Sequence, residues 1–504
     1  MRRARGNKSA CSRFAFVVWL CYSGSSMEPD FLLILRKMKK ETFSLINFGC
    51  RATQADGAAL EQAFLNRQLD RAKVWQDSDV VVINTCTVTH SADTQARQMI
   101  RKVHRENPKA KIVVTGCYAQ RAPQEVARME GVTCVVGNSH KEQLVPIVLK
   151  NYFTQPELPI LQDLPSNSCH QKNPFADGEL STTNRVTSDA DVFCSSIFES
   201  RTLRSIADMS GAGRTRPVLK VQDGCSLRCS YCVIPYVRGN SRSLQEEEVL
   251  CQVEHLLDQG FKEIVFTGIH LGAYGRDFEN RRTLAALVNR VLEQGRLGRL
   301  RLSSIEPLEV TDEIIELVAE SPKMAKHFHV PLQSGSERIL RLMRRNYSSD
   351  YYARLVEKLR QRAPDAAIGA DVMVGFPTET EADHTRTKDL LKNAPLTYLH
   401  VFPYSPRPGT PSAHLKPQVP ERTVQRRSLE LRELAAEKNL QFRSSFLGKR
   451  LSVITLDRKD EVAKVQALST NYLKVELEAE VKPNQLLEVV VKEVTVDRLR
   501  GERV

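Results

Sequence analysis

The chain lacks any apolar run near the roughly 20 residues a membrane-spanning helix needs, so no membrane partner is expected of its 504 residues. It lacks a sustained internal repeat, which excludes a solenoid or propeller. It is short of acid: 60 Asp and Glu stand against 73 Lys and Arg, a net charge of +13 that suits a polyanionic partner such as RNA, or simply a basic surface. Twelve cysteines raise the question of disulfides, but the short secreted context of a disulfide framework is missing. In a long chain with an ample core, metal-ligating thiolates in a reduced, cytoplasmic setting are the better expectation. Arg2, Arg3, Arg5 and Lys8 precede an apolar run, Phe14 to Tyr22, and so mimic a secretory signal peptide. Because export would expose metal-ligating thiolates to oxidation, we read residues 1–40 as an extension, with translation starting at Met27 or Met38.

Length predicts about three domains. From residue 41 to 152, strand-like runs at Phe43–Phe48, Asp79–Asn84, Lys111–Thr115 and, briefly, Cys134–Val136 alternate with helical ones, the first from about Ala55 to Leu69. That alternation predicts a parallel sheet with helices on its faces. Cys50, Cys86 and Cys117 each fall within about two residues of a predicted strand's carboxyl end, the edge at which such sheets bind ligands. They are therefore read as one three-cysteine cluster site. Residues 153–213 are rich in Pro, Ser, Asn, Asp and Thr and read as a linker, with Cys169, His170 and Cys194 incidental.

From 214 to 445 six strand–helix units predict a complete or partial parallel barrel, whose chemistry sits at the carboxyl ends of its strands. After the first strand comes Gly224-Cys-Ser-Leu-Arg-Cys-Ser-Tyr-Cys232. Cys225, Cys229 and Cys232 stand at C-x3-C-x2-C spacing, and Tyr231 precedes the third. The loop lacks the fourth ligand of a closed structural zinc site. Three thiolates instead leave one iron of a cubic [4Fe-4S] cluster open. Gly268, Ser303 and Glu306, which follow the second and third strands, and Tyr231 are candidate cofactor contacts. Tyr404 and Arg407 after the sixth strand, with Arg344 and Arg345, are candidate RNA contacts. From 446 to 504 short alternating runs predict a small antiparallel β-barrel, a form that commonly grips nucleic acid.

The three-part combination resembles the radical S-adenosylmethionine (SAM) methylthiotransferases over essentially everything from Thr42 onward, with a C-terminal domain like a TRAM domain. The segments Asn84-Thr-Cys-Thr-Val-Thr-His-Ser-Ala-Asp93 and Gly116-Cys-Tyr-Ala-Gln120 look like the branch acting on N6-threonylcarbamoyladenosine at position 37 of tRNA. One departure is Thr53, where that branch usually has Asn. The resemblance implies two [4Fe-4S] clusters, SAM as cofactor, the tRNA anticodon stem-loop as partner, an electron donor such as flavodoxin or ferredoxin, and a sulfur source. It implies that the Cys225/Cys229/Cys232 cluster generates a radical from SAM while the Cys50/Cys86/Cys117 cluster supplies sulfur. Two rival targets are isopentenyladenosine-37 and a ribosomal protein. A non-catalytic iron–sulfur RNA-binding protein is the rival of another class.

Overall fold

Strands β1 (Thr42–Asn47), β2 (Asp70–Arg71), β3 (Val80–Thr85), β4 (Lys111–Gly116), β5 (Val132–Gly137) and β6 (Asp191–Phe193) form one wholly parallel sheet in the order β2-β1-β3-β4-β5-β6. β3 reads Val-Val-Val-Ile because both of its faces are covered. Val80 and Val82 pack with Phe64 and Ile147 from the helices Arg51–Leu65 and Leu144–Tyr152. Val81 and Ile83 pack with Ile100 of the helix His90–Glu106 on the opposite face.

The structure, a computed structural model, describes residues 41–153, 190–200, 203, 215–459, 465–478 and 481–504. The N-terminal extension, Cys169 and His170 lie outside the described residues. Two expectations need correction. Part of the stretch read as linker is β6, which pairs with β5 through Val135 and Val192, so the first domain extends past residue 152. Three residues are too few to show a period. The first helix begins at Arg51, not Ala55, because Gly49 turns the chain at φ +107° and Cys50 is already its N-cap.

The middle domain sets β7 (Val218–Lys220), β10 (Glu263–Thr267) and β11 (Arg299–Leu302) beside β12 (His327–His329), β13 (Ala367–Val374) and β14 (Tyr398–Pro403), with β8 (Gln222–Asp223) and β9 (Arg242–Ser243) as a two-residue ladder near the cysteine loop. The first sheet runs β11-β10-β7 and the second β12-β13-β14, all parallel, joined where Leu300 bridges Met324. This is a six-stranded partial barrel, with β7 and β14 as free edges. Ile264, Phe266, Ile368 and Val372 face the surrounding helices and form the main core with residues such as Leu287 and Val356.

The last domain is a closed barrel of β15 (Arg450–Lys459), β16 (Val465–Ser469), β17 (Lys474–Leu477), β18 (Leu486–Val494) and β19 (Leu499–Arg503) in the order β15-β16-β17-β19-β18. β19, absent from the sequence reading, closes it, and its pairing with β17 is parallel while the other pairings are antiparallel. The barrel docks on the amino ends of the middle strands. Arg301 donates to the carbonyls of Ser469 and Thr470, each at 3.0 Å, and Arg299 to Ser452 Oγ at 3.0 Å. The Cys225/Cys229/Cys232 loop and the C-terminal barrel thus occupy opposite ends of the middle domain, while Arg51 of the first domain reaches the barrel at Tyr472 OH, 2.9 Å away.

Candidate active site

Cys50, Cys86 and Cys117 follow β1, β3 and β4, three adjacent strands, so register alone brings them to one edge. The approach is close: a Cβ on Gly49 would stand 2.7 Å from Cys86 Cβ, and one on Gly116 would stand 2.3 Å from the Thr85 carbonyl oxygen. Burial, and next the neighbouring Cys117, pushes the Cys86 thiol up to about 12. Thr53 does not leave a gap where Asn is usual. Its hydroxyl lies 3.6 Å from Cys50 Sγ, and its carbonyl accepts from Asn84 Nδ2 at 2.9 Å.

At the mouth of the partial barrel, Cys225 N donates to the Gly239 carbonyl and Cys232 N to the Cys229 carbonyl, at 3.0 and 3.1 Å. Burial, and next Cys229, pushes the Cys232 thiol up to about 12. Arg345 Nη1 donates to Cys229 Sγ at 3.4 Å, and its other arm is ion-paired with Glu306. These residues border a cleft of about 140 Å³ that also takes in His270, Arg344 and Tyr347. Ser303 Oγ, just past β11, is buried with no hydrogen-bond partner among the described residues. Two groups of thiols, mutually repulsive when ionised, with Cys86 and Cys117 buried, Cys225, Cys229 and Cys232 half-buried and guanidinium donors aimed at the sulfur of Cys117 and Cys229, fit iron–sulfur clusters. The orphaned Ser303 hydroxyl and the Glu306 carboxylate fit a polar cofactor beside them.

Other candidates land differently. Gly268 makes room for a protein side chain: a Cβ there would meet Gln222 Oε1 at 2.7 Å, so its small size is explained by packing rather than by a cofactor. Tyr231 sits edge-on to Phe376 at 6.5 Å within a small apolar cluster that includes Met373 and Tyr404. Tyr404 is half-buried and shares a 2.9 Å hydrogen bond with Ser412. Arg345 belongs to the cleft and is not an open RNA contact, since its guanidinium is turned to Glu306 and Cys229. Arg407 is likewise corrected. It is buried, donates to Thr87 Oγ1 at 2.8 Å and pairs with Asp93, so it clasps the loop after Cys86. Arg344 is exposed on the cleft's rim.

The sequence reading missed the group that joins the two cysteine sites. Arg238 ends the short helix after Cys232. Its Nε donates to Cys117 Sγ at 3.3 Å, Nη1 to Asp223 Oδ1 at 2.9 Å and Nη2 to Asp56 Oδ2 at 2.9 Å. Lys220 pairs with both carboxylates, and Lys141 with Asp56 at 2.9 Å. Burial alone would raise Asp56 and Asp223, but these cations hold both well below the usual carboxylate range. The available signal was charge beside the cysteines, at the strand ends Lys220 and Asp223 and at the end of a short apolar helix, Arg238.

The Radical SAM superfamily matches residues 219–391, and the family described as Uncharacterized protein family UPF0004 matches residues 42–137. Threonylcarbamoyladenosine tRNA methylthiotransferase MtaB of Aquifex aeolicus is 37% identical over 443 residues, 88% of this chain and 98% of the relative. The chain belongs to the radical-SAM methylthiotransferase family. A second relative from Aquifex aeolicus, tRNA-2-methylthio-N(6)-dimethylallyladenosine synthase, is 30% identical over 78% of this chain and 82% of its own. Among solved structures, the radical SAM methyltransferase TsrM of Kitasatospora setae, solved with cobalamin and a [4Fe-4S] cluster, superposes with a TM-score of 0.52 at 15% identity, covering 74% of each chain, a likeness of fold alone. For a radical-SAM methylthiotransferase, iron–sulfur and SAM chemistry follow from the family.

Proposed function

We propose that this methylthiotransferase replaces the C2 hydrogen of N6-threonylcarbamoyladenosine-37 in tRNA with a methylthio group, using two SAM molecules and two [4Fe-4S] clusters. The observation that supports it is the pairing of two three-cysteine sites tied by one buried arginine, Arg238, in a chain whose 37%-identical relative carries that activity in its name. Cys225, Cys229 and Cys232 would hold the cluster that, with SAM bound, supplies a carbon radical. Glu306 and Arg345 border that loop and, with Ser303 just past β11, would orient SAM. Cys50, Cys86 and Cys117 would hold the cluster that presents sulfur, and the clasp of Arg407 on Asp93 would fix its loop against the barrel mouth. The basic C-terminal barrel would hold the anticodon stem-loop, an electron donor of the flavodoxin or ferredoxin type and a sulfur source would complete the reaction, and the setting would be cytoplasmic. Among the described residues no helix is long and apolar enough to cross a membrane.

Anaerobic reconstitution with iron and sulfide, followed by assay with SAM, reductant and threonylcarbamoyl-modified tRNA, tests this. About eight irons per chain and a methylthio nucleoside are expected. About four irons would remove the second cluster and the sulfur-transfer reading with it, and RNA binding without 5′-deoxyadenosine would point to the non-catalytic alternative.

A further inference from the structure

The middle barrel has a polar patch on its inner wall that the cysteine chemistry does not use. Phe328, Val330, Ile368, Ala370, Val372 and Leu399 pack outward on the helices. Side chains alternate along a strand, so His329, Asp371, Met373, His400 and Phe402 line the interior. Three strands bring His329, Asp371 and His400 together. Asp371 Oδ1 lies 2.9 Å from His329 Nε2 and 3.2 Å from His400 Nδ1. Tyr398 OH lies 2.9 Å from His329 Nδ1 and 2.8 Å from His327 Nε2. Gly369 is small because that ring fills its place: a Cβ there would stand 1.9 Å from Tyr398 Cζ.

These contacts order the protons. His327 is buried and kept neutral, by burial first and by Arg301 next. Its Nε2–H donates to Tyr398, whose hydroxyl donates to His329 Nδ1. His329 Nε2–H and His400 Nδ1–H then both donate to the ionised Asp371. With Nδ1 turned to the carboxylate, the neutral His400 ring presents Nε2 as an acceptor on a side chain 51% exposed. Phe402, two residues along the same face, is 44% exposed and stands edge-on to the His400 ring at 6.2 Å. An exposed aromatic above an unpaired acceptor is what a nucleobase bearing a polar substituent requires. The place is right too. Asp371 lies one pleat, about 7 Å, below Met373, which packs in the cluster of Tyr231, beside Cys232. His400 also borders a groove of about 340 Å³ along the free edge of β14, between the helix Glu421–Ser444 and the C-terminal barrel, with Lys474 on its far wall.

We propose that His400, backed by Asp371, is a specificity-determining residue that accepts a hydrogen bond from the polar N6 substituent of the target adenosine while Phe402 stacks on its base. This rests on the function proposed above and deepens it. An aliphatic dimethylallyl substituent would leave the polar floor desolvated and unpaired, whereas a threonylcarbamoyl substituent brings N–H and O–H donors.

The test measures kcat/KM of the reconstituted holoenzyme on tRNA carrying either threonylcarbamoyladenosine or dimethylallyladenosine at position 37, for wild type, His400→Phe and His400→Gln. Iron content and far-UV circular dichroism report folding. The wild type is expected to prefer the threonylcarbamoyl substrate, His400→Phe to lose about tenfold to hundredfold of that preference, and His400→Gln, which restores an acceptor, to recover part of it. If His400→Phe does not fold, His400→Gln and Phe402→Leu, each expected to lower the preference, carry the test. Unchanged preference in the folded variants overturns this inference alone. A wild type that prefers the dimethylallyl substrate overturns the proposed function as well. Stoichiometric zinc or cobalt held by wild type and lost in His400→Phe overturns it in favour of a cation site on the same three ligands.

Discussion

Replacing Arg238 with glutamine should weaken both the docking of the first domain and the sulfur-bearing cluster. The buried group contains two carboxylates, Asp56 and Asp223, and three cations, Lys141, Lys220 and Arg238. The surplus positive charge lies on the guanidinium that donates to Cys117 Sγ. Removing one partner of a buried ion pair costs about 3–5 kcal/mol. Both carboxylates keep a lysine in Arg238→Gln, so the lower end, about 3 kcal/mol, is expected. With a urea slope of about 2 kcal/mol per molar for a unit of this size, the midpoint should fall by about 1.5 M. The measurement is anaerobic urea unfolding of the holoenzyme, followed in parallel by circular dichroism and by cluster absorbance. The lost donor also stabilised negative charge on sulfur, so the first-domain cluster should move to a more negative potential in a redox titration. A midpoint within about 0.3 M of wild type, together with an unmoved potential, would refute the reasoning.

Arg407→Leu strands Asp93 with Arg121 alone and should destabilise the first domain by about 3 kcal/mol, read from the same urea curves. Burial, partly opposed by Arg427, holds the Glu379 carboxyl up at about 6, against an ordinary 4.5. Between pH 4.5 and 6 the folded state therefore binds more protons than the unfolded one, and stability falls as pH rises by about 2 kcal/mol. Glu379→Gln should flatten that part of the stability–pH profile, and a profile as steep as wild type would count against it. Arg345→Gln removes the donor to Cys229 and the partner of Glu306, and should lower SAM cleavage about a hundredfold at saturating reductant; cleavage within a factor of two would exclude a role in the cleft. Lys474→Ala should weaken tRNA binding equally for all sequences and reduce the slope of log affinity against log salt by about one.

β3 and β4 were legible because parallel strands buried on both faces read as unbroken apolar runs, and Cys86 and Cys117 stand at their ends. Asp79–Asn84 and Lys111–Thr115 differ from β3 and β4 by a residue at their ends. β6 and β19 were not legible, since three to five residues carry too little period and depend on the neighbour they complete. Among side chains, the grouping of Cys50, Cys86 and Cys117 at one sheet edge was legible from topology, and that of Cys225, Cys229 and Cys232 from spacing. Arginine did not: Arg238, Arg345 and Arg407 look like basic residues in loops, and only the fold shows that each is buried against a carboxylate. His329, Asp371 and His400 are separated by 42 and 29 residues and meet only through the register of β12, β13 and β14.

The central claim is that this chain places methylthio groups on threonylcarbamoyladenosine-37. Mass spectrometry of tRNA nucleosides from a strain lacking the gene, and from the same strain complemented with wild type or with Cys50→Ala, tests it most directly. The methylthio derivative of threonylcarbamoyladenosine should vanish on deletion, return with wild type and stay absent with Cys50→Ala, while the unmethylthiolated nucleoside accumulates. Undiminished methylthio-threonylcarbamoyladenosine in the deletion strain would contradict the account.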